Sequence, residues 1–183
     1  RPNDVVVKSD GSVWFSDPTY GIDSDYEGHA APSEIGASLV YRLDSDGTIT
    51  TVVSDLVQPN GLAFSPDERF LYVADTGHTH VPDCTPKIRR YEVADDGKSL
   101  GPGTDLALSD CGLFDGFRVD TAGNIWSSAG DGVHCYSPDG DLLGKILVPE
   151  VVANLCFFGP NRNRLMICAT TSVYSIYVRT RGC

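Results

Sequence analysis

Asn3, Asn60 and Asp115 each open a short apolar strand pattern, and Asn154 opens a fourth and weaker one. Amide carbonyls and a carboxylate are hard oxygen donors, a ligand chemistry that suits Ca²⁺, Mg²⁺ or Mn²⁺ better than a soft metal. One carboxylate is thin for tight binding of a divalent cation, and no other repeat offers a further acid. Taken singly, an Asn or Asp at a strand start is a turn former that bonds its own backbone. Three in register shift the reading toward a site. Asp17 and Asp75 end the strands that follow and would sit at the same mouth, where turn capping explains each of them equally well. His29, His78 and His80 read as solvated loop residues rather than ligands.

The elements that must bring these residues together recur along the chain. Each opening residue leads into a strand, a turn and a second aromatic or β-branched strand: Ser12 to Asp17, Phe70 to Asp75, Asn124 to Ser128 and Arg164 to Ala169. The turns between them are Asp10-Gly11, Pro66-Asp67-Glu68, Ala122-Gly123 and Asn161-Arg162-Asn163. A second hairpin follows in three copies, broken at Ser45-Asp46-Gly47, Asp95-Asp96-Gly97 and Pro138-Asp139-Gly140. A period of roughly 40–60 residues built only from strands indicates an all-β propeller or a related repeat array.

Three units therefore hold about four strands each, and the last holds three, ending at Ser172 to Val178. A blade short of its outer strand leaves an edge unpaired, and the expectation is that a segment ahead of residue 1 supplies that strand and closes the ring. If the units are blades, their first strands line a central channel and Asn3, Asn60, Asp115 and Asn154 meet at one mouth. Two polar insertions, Thr19 to Ala37 and Thr76 to Pro86, emerge at that same end, where ligand contacts concentrate on a repeat scaffold. Trp14, Tyr72 and Trp126 occupy matching strand positions and read as packing between blades.

A chain of 183 residues supports one globular domain with a real core. The net charge of −11 argues against a nucleic-acid backbone or an anionic membrane as partner. No apolar run is long enough to cross a bilayer as a helix. Six cysteines without a Cys-x-x-Cys pair favour a reducing compartment, hence a cytoplasmic location. Cys135, Cys156 and Cys168 fall inside strand patterns as small hydrophobes, while Cys84 and Cys111 lie in loops, where pairing is left open. No nucleophile elbow, phosphate loop or dinucleotide fingerprint is present.

The stretches Arg1-Pro2-Asn3-Asp4, Trp14-Phe15-Ser16-Asp17-Pro18-Thr19-Tyr20-Gly21, Pro59-Asn60-Gly61-Leu62-Ala63-Phe64-Ser65-Pro66-Asp67 and Asp115-Gly116-Phe117-Arg118-Val119-Asp120 resemble the gluconolactonase, regucalcin and luciferin-regenerating enzyme family. The ending, from Thr170-Thr171-Ser172-Val173-Tyr174 through Thr180-Arg181-Gly182, is similar to its bacterial members. The resemblance implies a six-bladed β-propeller, of which residues 1–183 form about four blades of a single domain without its N-terminal blades. It implies a divalent cation at the channel mouth, Ca²⁺ first with Mg²⁺, Mn²⁺ or Zn²⁺ as alternatives, and hydrolysis of sugar lactones or related esters. Asn60 and Asp115 would be metal ligands and Asn3 a ligand or the holder of a bound water. Asp115 would also serve as the base, and Arg1, Asn3 and Asp17 would face the substrate. The family's metal-binding glutamate, from an early Glu-Gly-Pro type motif, has no counterpart in these residues. Two other readings stand beside this one: an arylesterase or phosphotriesterase on the same metal site, and a propeller that only binds a ligand or protein.

Overall fold

The computed structural model describes residues 2–26 and 28–183. Its strands form four antiparallel sheets that follow one another in sequence. The first holds β1 (Val5–Val7), β2 (Val13–Asp17), β3 (Leu39–Leu43) and β4 (Ile49–Val53). The second holds β5 (Pro59–Phe64), β6 (Phe70–Asp75), β7 (Lys87–Glu92) and β8 (Thr104–Leu108). The third holds β9 (Phe117–Val119), β10 (Ile125–Ala129), β11 (Gly132–Tyr136) and β12 (Leu142–Leu147). The fourth has three strands, β13 (Val152–Phe158), β14 (Arg164–Ala169) and β15 (Val173–Tyr177). Strands are added in chain order from the inside outward, as in propeller blades. The four-four-four-three count expected from the sequence holds.

Strand alternation explains why the sheets stack. Side chains two apart share a face, so Leu71 and Val73 of β6 turn toward the first sheet while Tyr72 and Ala74 turn toward the third. Three apolar clusters result, one at each junction. Trp14, Val40, Leu62 and Leu71 fill the first, Tyr72, Ile88, Phe117 and Ile125 the second, and Val133, Leu155, Leu165 and Ile167 the third. Each large apolar side chain fully buried there contributes on the order of 1.5–3 kcal/mol. Trp14 meets Phe64 edge-on at 5.2 Å and Trp126 meets Phe157 at 6.1 Å, so both tryptophans pack across blade junctions as expected.

The hairpin turns show how a repeat tolerates different sequences. Gly11 and Gly123 sit at φ 85° in the first and third sheets, where the absence of a Cβ makes the left-handed region cheap. In the second and fourth sheets that role falls to Glu68 (φ 56°) and Arg162 (φ 49°). Glu68 is held in place by Ser9, whose backbone N–H and hydroxyl both donate to its carboxylate.

Both insertions contain a short helical piece that the strand pattern did not anticipate: α1 (Tyr20–Asp23) in the first and a 3₁₀ turn (Gly77–Thr79) in the second. All six cysteines are free thiols. Cys135 is buried and Cys156 half-buried, in keeping with a packing role, whereas Cys168 is exposed. It lies on the face of β14 opposite Leu165 and Ile167, the pair that packs on the third sheet. Among the described residues no helix is long and apolar enough to cross a membrane.

Candidate functional site

The innermost strands of successive sheets share a register that defines equivalent positions. Val6 pairs with Trp14, Ala63 with Tyr72, Arg118 with Trp126 and Cys156 with Met166. Counting back from these pairs, Asn3, Asn60, Asp115 and Ala153 occupy one and the same place in the four blades. All four line a single cavity of about 330 Å³ at the end from which the insertions emerge.

The expectation for Asn154 is corrected here, because the place it was assigned belongs to Ala153. A strand residue one position along points to the other face, and Asn154 lies on the next position, against Gly116. Its side-chain oxygen accepts the backbone N–H of Leu155 at 2.8 Å, which is the turn-former behaviour of an Asx residue. Asp4, at the equivalent place in the first blade, makes the same bond to Val5 at 2.8 Å.

Backbone hydrogen bonds between blades hold the cavity wall. Gly61 N–H donates to the Asp115 carbonyl at 3.1 Å, and Gly116 N–H to the Ala153 carbonyl at 2.8 Å. The second strands add a buried serine beneath the opening residues. Ser128 Oγ accepts the Asp115 N–H at 2.9 Å, and Ser16 Oγ accepts the Asp4 N–H at 3.1 Å. Both serines are fully buried, so they serve the backbone rather than a ligand.

The side chains differ in how far they are committed. Asn60 is only 6% exposed, and among the described residues its amide has no hydrogen-bond partner, so its polar atoms are left to the cavity. Asp115 is half-buried and lines the same space. Asn3 is exposed at the rim, its backbone N–H donating to Ser16 carbonyl at 2.9 Å. The lining also has an apolar and small part, formed by Leu113, Val151 and Val152 with Gly112 and Gly130.

Other sequence-derived candidates fall elsewhere. Asp75 is a cap: its buried carboxylate accepts the N–H groups of Gln58 (2.9 Å), Gly77 (3.0 Å) and Val57 (3.2 Å). Asp17 ends β2 opposite Leu39 and is not among the cavity-lining residues. Together with burial, the larger effect, its charge raises the Tyr41 phenol above its ordinary value. Arg1 lies outside the described residues. His29 is exposed, 3.9 Å from Asp25. No group of three His, Cys, Asp or Glu able to hold a metal occurs among the described residues.

Three polar lining residues escaped the sequence reading: Tyr20, Thr76 and Thr79. They sit on the two insertions, whose shared exit was the signal that could have found them. Burial, the larger effect, and the nearby Asp115 and Asp75 carboxylates raise the Tyr20 pKa, so the phenol stays protonated. Its oxygen lies 2.6 Å from Thr76 Oγ1 and 2.8 Å from Thr79 Oγ1.

With this geometry in place, the comparisons with known proteins agree in direction. A gluconolactonase from Zymomonas mobilis is 32% identical over 99% of this chain and 51% of its own length. A pentonolactonase from Haloferax volcanii is 34% identical over 91% of this chain and 52% of its own length. The chain thus spans about half the length of these relatives. Among solved structures, a gluconolactonase from Xanthomonas campestris superposes with a TM-score of 0.87 at 37% identity, covering 96% of this chain and 56% of that one. A calcium-binding regucalcin from Agrobacterium tumefaciens gives 0.77 at 22% identity, over 100% of this chain and 62% of that one, a likeness of fold. The model of the SMP-30/gluconolactonase/LRE-like region matches residues 1–171, and the chain belongs to that family.

Proposed function

We propose that the cavity at Asn3, Asn60 and Asp115 is the site of a metal-dependent hydrolase that opens small sugar lactones. The observation that carries this reading is the register: three oxygen-bearing side chains at one equivalent position in successive blades, facing one cavity. The names of the relatives support the substrate class. On this reading residues 1–183 are part of a single six-bladed propeller domain whose other blades lie outside these residues.

The donors present fit a hard divalent cation. Asn60 is 6% exposed and lines the cavity with its amide, and Asp115 adds a carboxylate to the same lining. Asn60 and Asp115 would hold the ion, with Asn3 as a third ligand or the holder of a bound water. An amide-rich oxygen set favours Ca²⁺, ahead of Mg²⁺, Mn²⁺ or Zn²⁺. When bound, such an ion supplies Lewis-acid polarisation of a carbonyl and a lowered pKa for water.

The chain's own residues account for the rest. The Asp115 carboxylate accepts the proton of the attacking water and returns it to the ring oxygen as the acyl bond breaks. Asn3, at the rim, hydrogen-bonds substrate oxygens and sets their orientation. Leu113, Val151 and Val152 cover the less polar face of the ring and exclude water from it. The testing experiment is hydrolysis of glucono-δ-lactone followed by pH-stat. Activity is expected to vanish in excess chelator and to return with added Ca²⁺, and full activity in chelator refutes the metal.

A further inference from the structure

We propose that Tyr20, Thr79 and His80 form a proton-exit chain from this cavity to the surface. The proposal rests on the lactonase reading for its chemical purpose. Hydrolysis of a lactone breaks the acyl bond to the ring oxygen and forms one to the oxygen of water. One water proton ends on the ring oxygen as a hydroxyl. The other is released when the new carboxylic acid ionises, so each turnover leaves one proton to be removed. A relay beside the cavity would carry that proton outward while substrate occupies the mouth.

A continuous hydrogen-bonded path stands beside the cavity. Tyr20 Oη is 2.8 Å from Thr79 Oγ1, Thr79 Oγ1 is 2.8 Å from His80 Nδ1, and His80 Nε2 is 2.7 Å from Asp23 Oδ2. Tyr20 and Thr79 line the cavity, whereas the His80 and Asp23 side chains are 32% and 37% exposed. The path therefore begins at the site and ends in solvent.

Its direction follows from the end that is fixed. A carboxylate only accepts, so His80 carries its proton on Nε2 and donates to Asp23. Nδ1 is then an acceptor for the Thr79 hydroxyl proton, for which the Thr76 carbonyl at 3.0 Å competes, and the Tyr20 hydroxyl is shared between Thr79 Oγ1 at 2.8 Å and Thr76 Oγ1 at 2.6 Å, so the path conducts when Thr79 turns to His80 and Tyr20 to Thr79. A proton arriving at Tyr20 moves outward by one hop at each bond, His80 gaining it at Nδ1 and losing the other from Nε2. The path is also braced. Thr19 Oγ1 donates to Asp23 at 3.1 Å, Gln58 Nε2 donates to Thr19 at 2.8 Å, and the Tyr20 and His80 rings meet edge-on at 5.4 Å. Among the described residues, the titratable groups in contact with His80 are Asp23 and Tyr20, both on α1, and Thr19 and Thr79 lie against its ring nitrogens. Imidazole is the side chain suited to this duty near neutral pH.

The test is steady-state kinetics of His80→Gln and Tyr20→Phe in low and high buffer. Glutamine keeps hydrogen bonds to its neighbours but does not carry a proton. The expected result is a kcat lower by about 10²-fold in each variant with KM unchanged. Added imidazole should restore kcat in His80→Gln. His78→Gln, outside the path, should match wild type. Wild-type kcat in both path variants at every buffer concentration overturns the chain while leaving the lactonase reading intact. If the wild-type protein opens no lactone, that reading fails, and ¹⁵N NMR of His80 decides the chain separately. An Nε2-protonated tautomer with an Nδ1 signal that shifts in Tyr20→Phe supports it, and an Nδ1-protonated tautomer overturns it.

Discussion

The backbone nitrogen of Gly61 donates to the carbonyl oxygen of Asp115 at 3.1 Å, tying the second blade directly to the carboxylate-bearing residue of the third. A Cβ on residue 61 would stand 2.2 Å from that oxygen and 3.1 Å from the Gly116 Cα. Gly61→Ala must therefore push Asp115 away from Asn60. A shift of about 1 Å at a reacting group costs roughly 10²-fold in rate, and that loss is expected in kcat/KM, together with weaker Ca²⁺ binding by calorimetry. Unchanged binding and rate would show that the inter-blade contact does not set the site.

Asp115→Asn preserves size and removes the charge, and with it the proposed base. The lactonase rate is expected to fall by about 10²–10⁴-fold, and Ca²⁺ affinity should fall with it. Cys84→Ser is the comparison. That thiol is half-buried beside Gly77, away from the cavity lining, and should retain near wild-type activity. Equal losses in the two variants would remove Asp115 from the site.

Asp75→Ala tests stability rather than chemistry. The buried carboxylate satisfies three backbone N–H groups at once, and leaving them unpaired costs about 3 kcal/mol or more. Urea denaturation should show a lower midpoint at unchanged slope. Since two of those groups lie just ahead of Asn60, Ca²⁺ affinity should weaken as well.

Glu150 links pH to the last blade. Hydrogen bonds from the Ser172 hydroxyl, the Thr171 N–H and the Tyr174 hydroxyl hold its pKa at about 2, the last two at 2.7 Å each. A folded-state pKa below the unfolded value means that the unfolded chain binds more protons in the interval between them. The contribution is therefore complete above the ordinary glutamate pKa near 4.5 and is lost as pH falls toward 2. Glu150→Gln should flatten the stability profile over that window relative to wild type, and parallel profiles would contradict the assignment.

The fold was legible because strand alternation, turn residues and the repeat itself all pointed the same way. Trp14, Tyr72 and Trp126 occupy matching strand positions in the sequence, and pairing with Val6, Ala63 and Arg118 bears that out. The cavity was legible to the extent that it lies on the repeat: Asn3, Asn60 and Asp115 share one repeat position and line it. Asn154 failed because residue type drew attention one position away from Ala153, and a strand does not forgive an offset of one. Tyr20, Thr76, Thr79 and His80 lie on insertions that follow no period. Their meeting depends on how two loops fold over one mouth, and nothing in the local sequence encodes it.

Because Asn3, Asn60, Asp115 and Ala153 are interchangeable in backbone terms, the direction from which a donor reaches the axis is a choice of blade rather than of loop design. Ala153→Asp would place a second carboxylate on the cavity lining. Moving the acid from blade to blade by paired substitutions would, in effect, rotate the site about the propeller axis. A scaffold of this kind lets charge at the mouth change by single residues while the cores between its blades stay as they are.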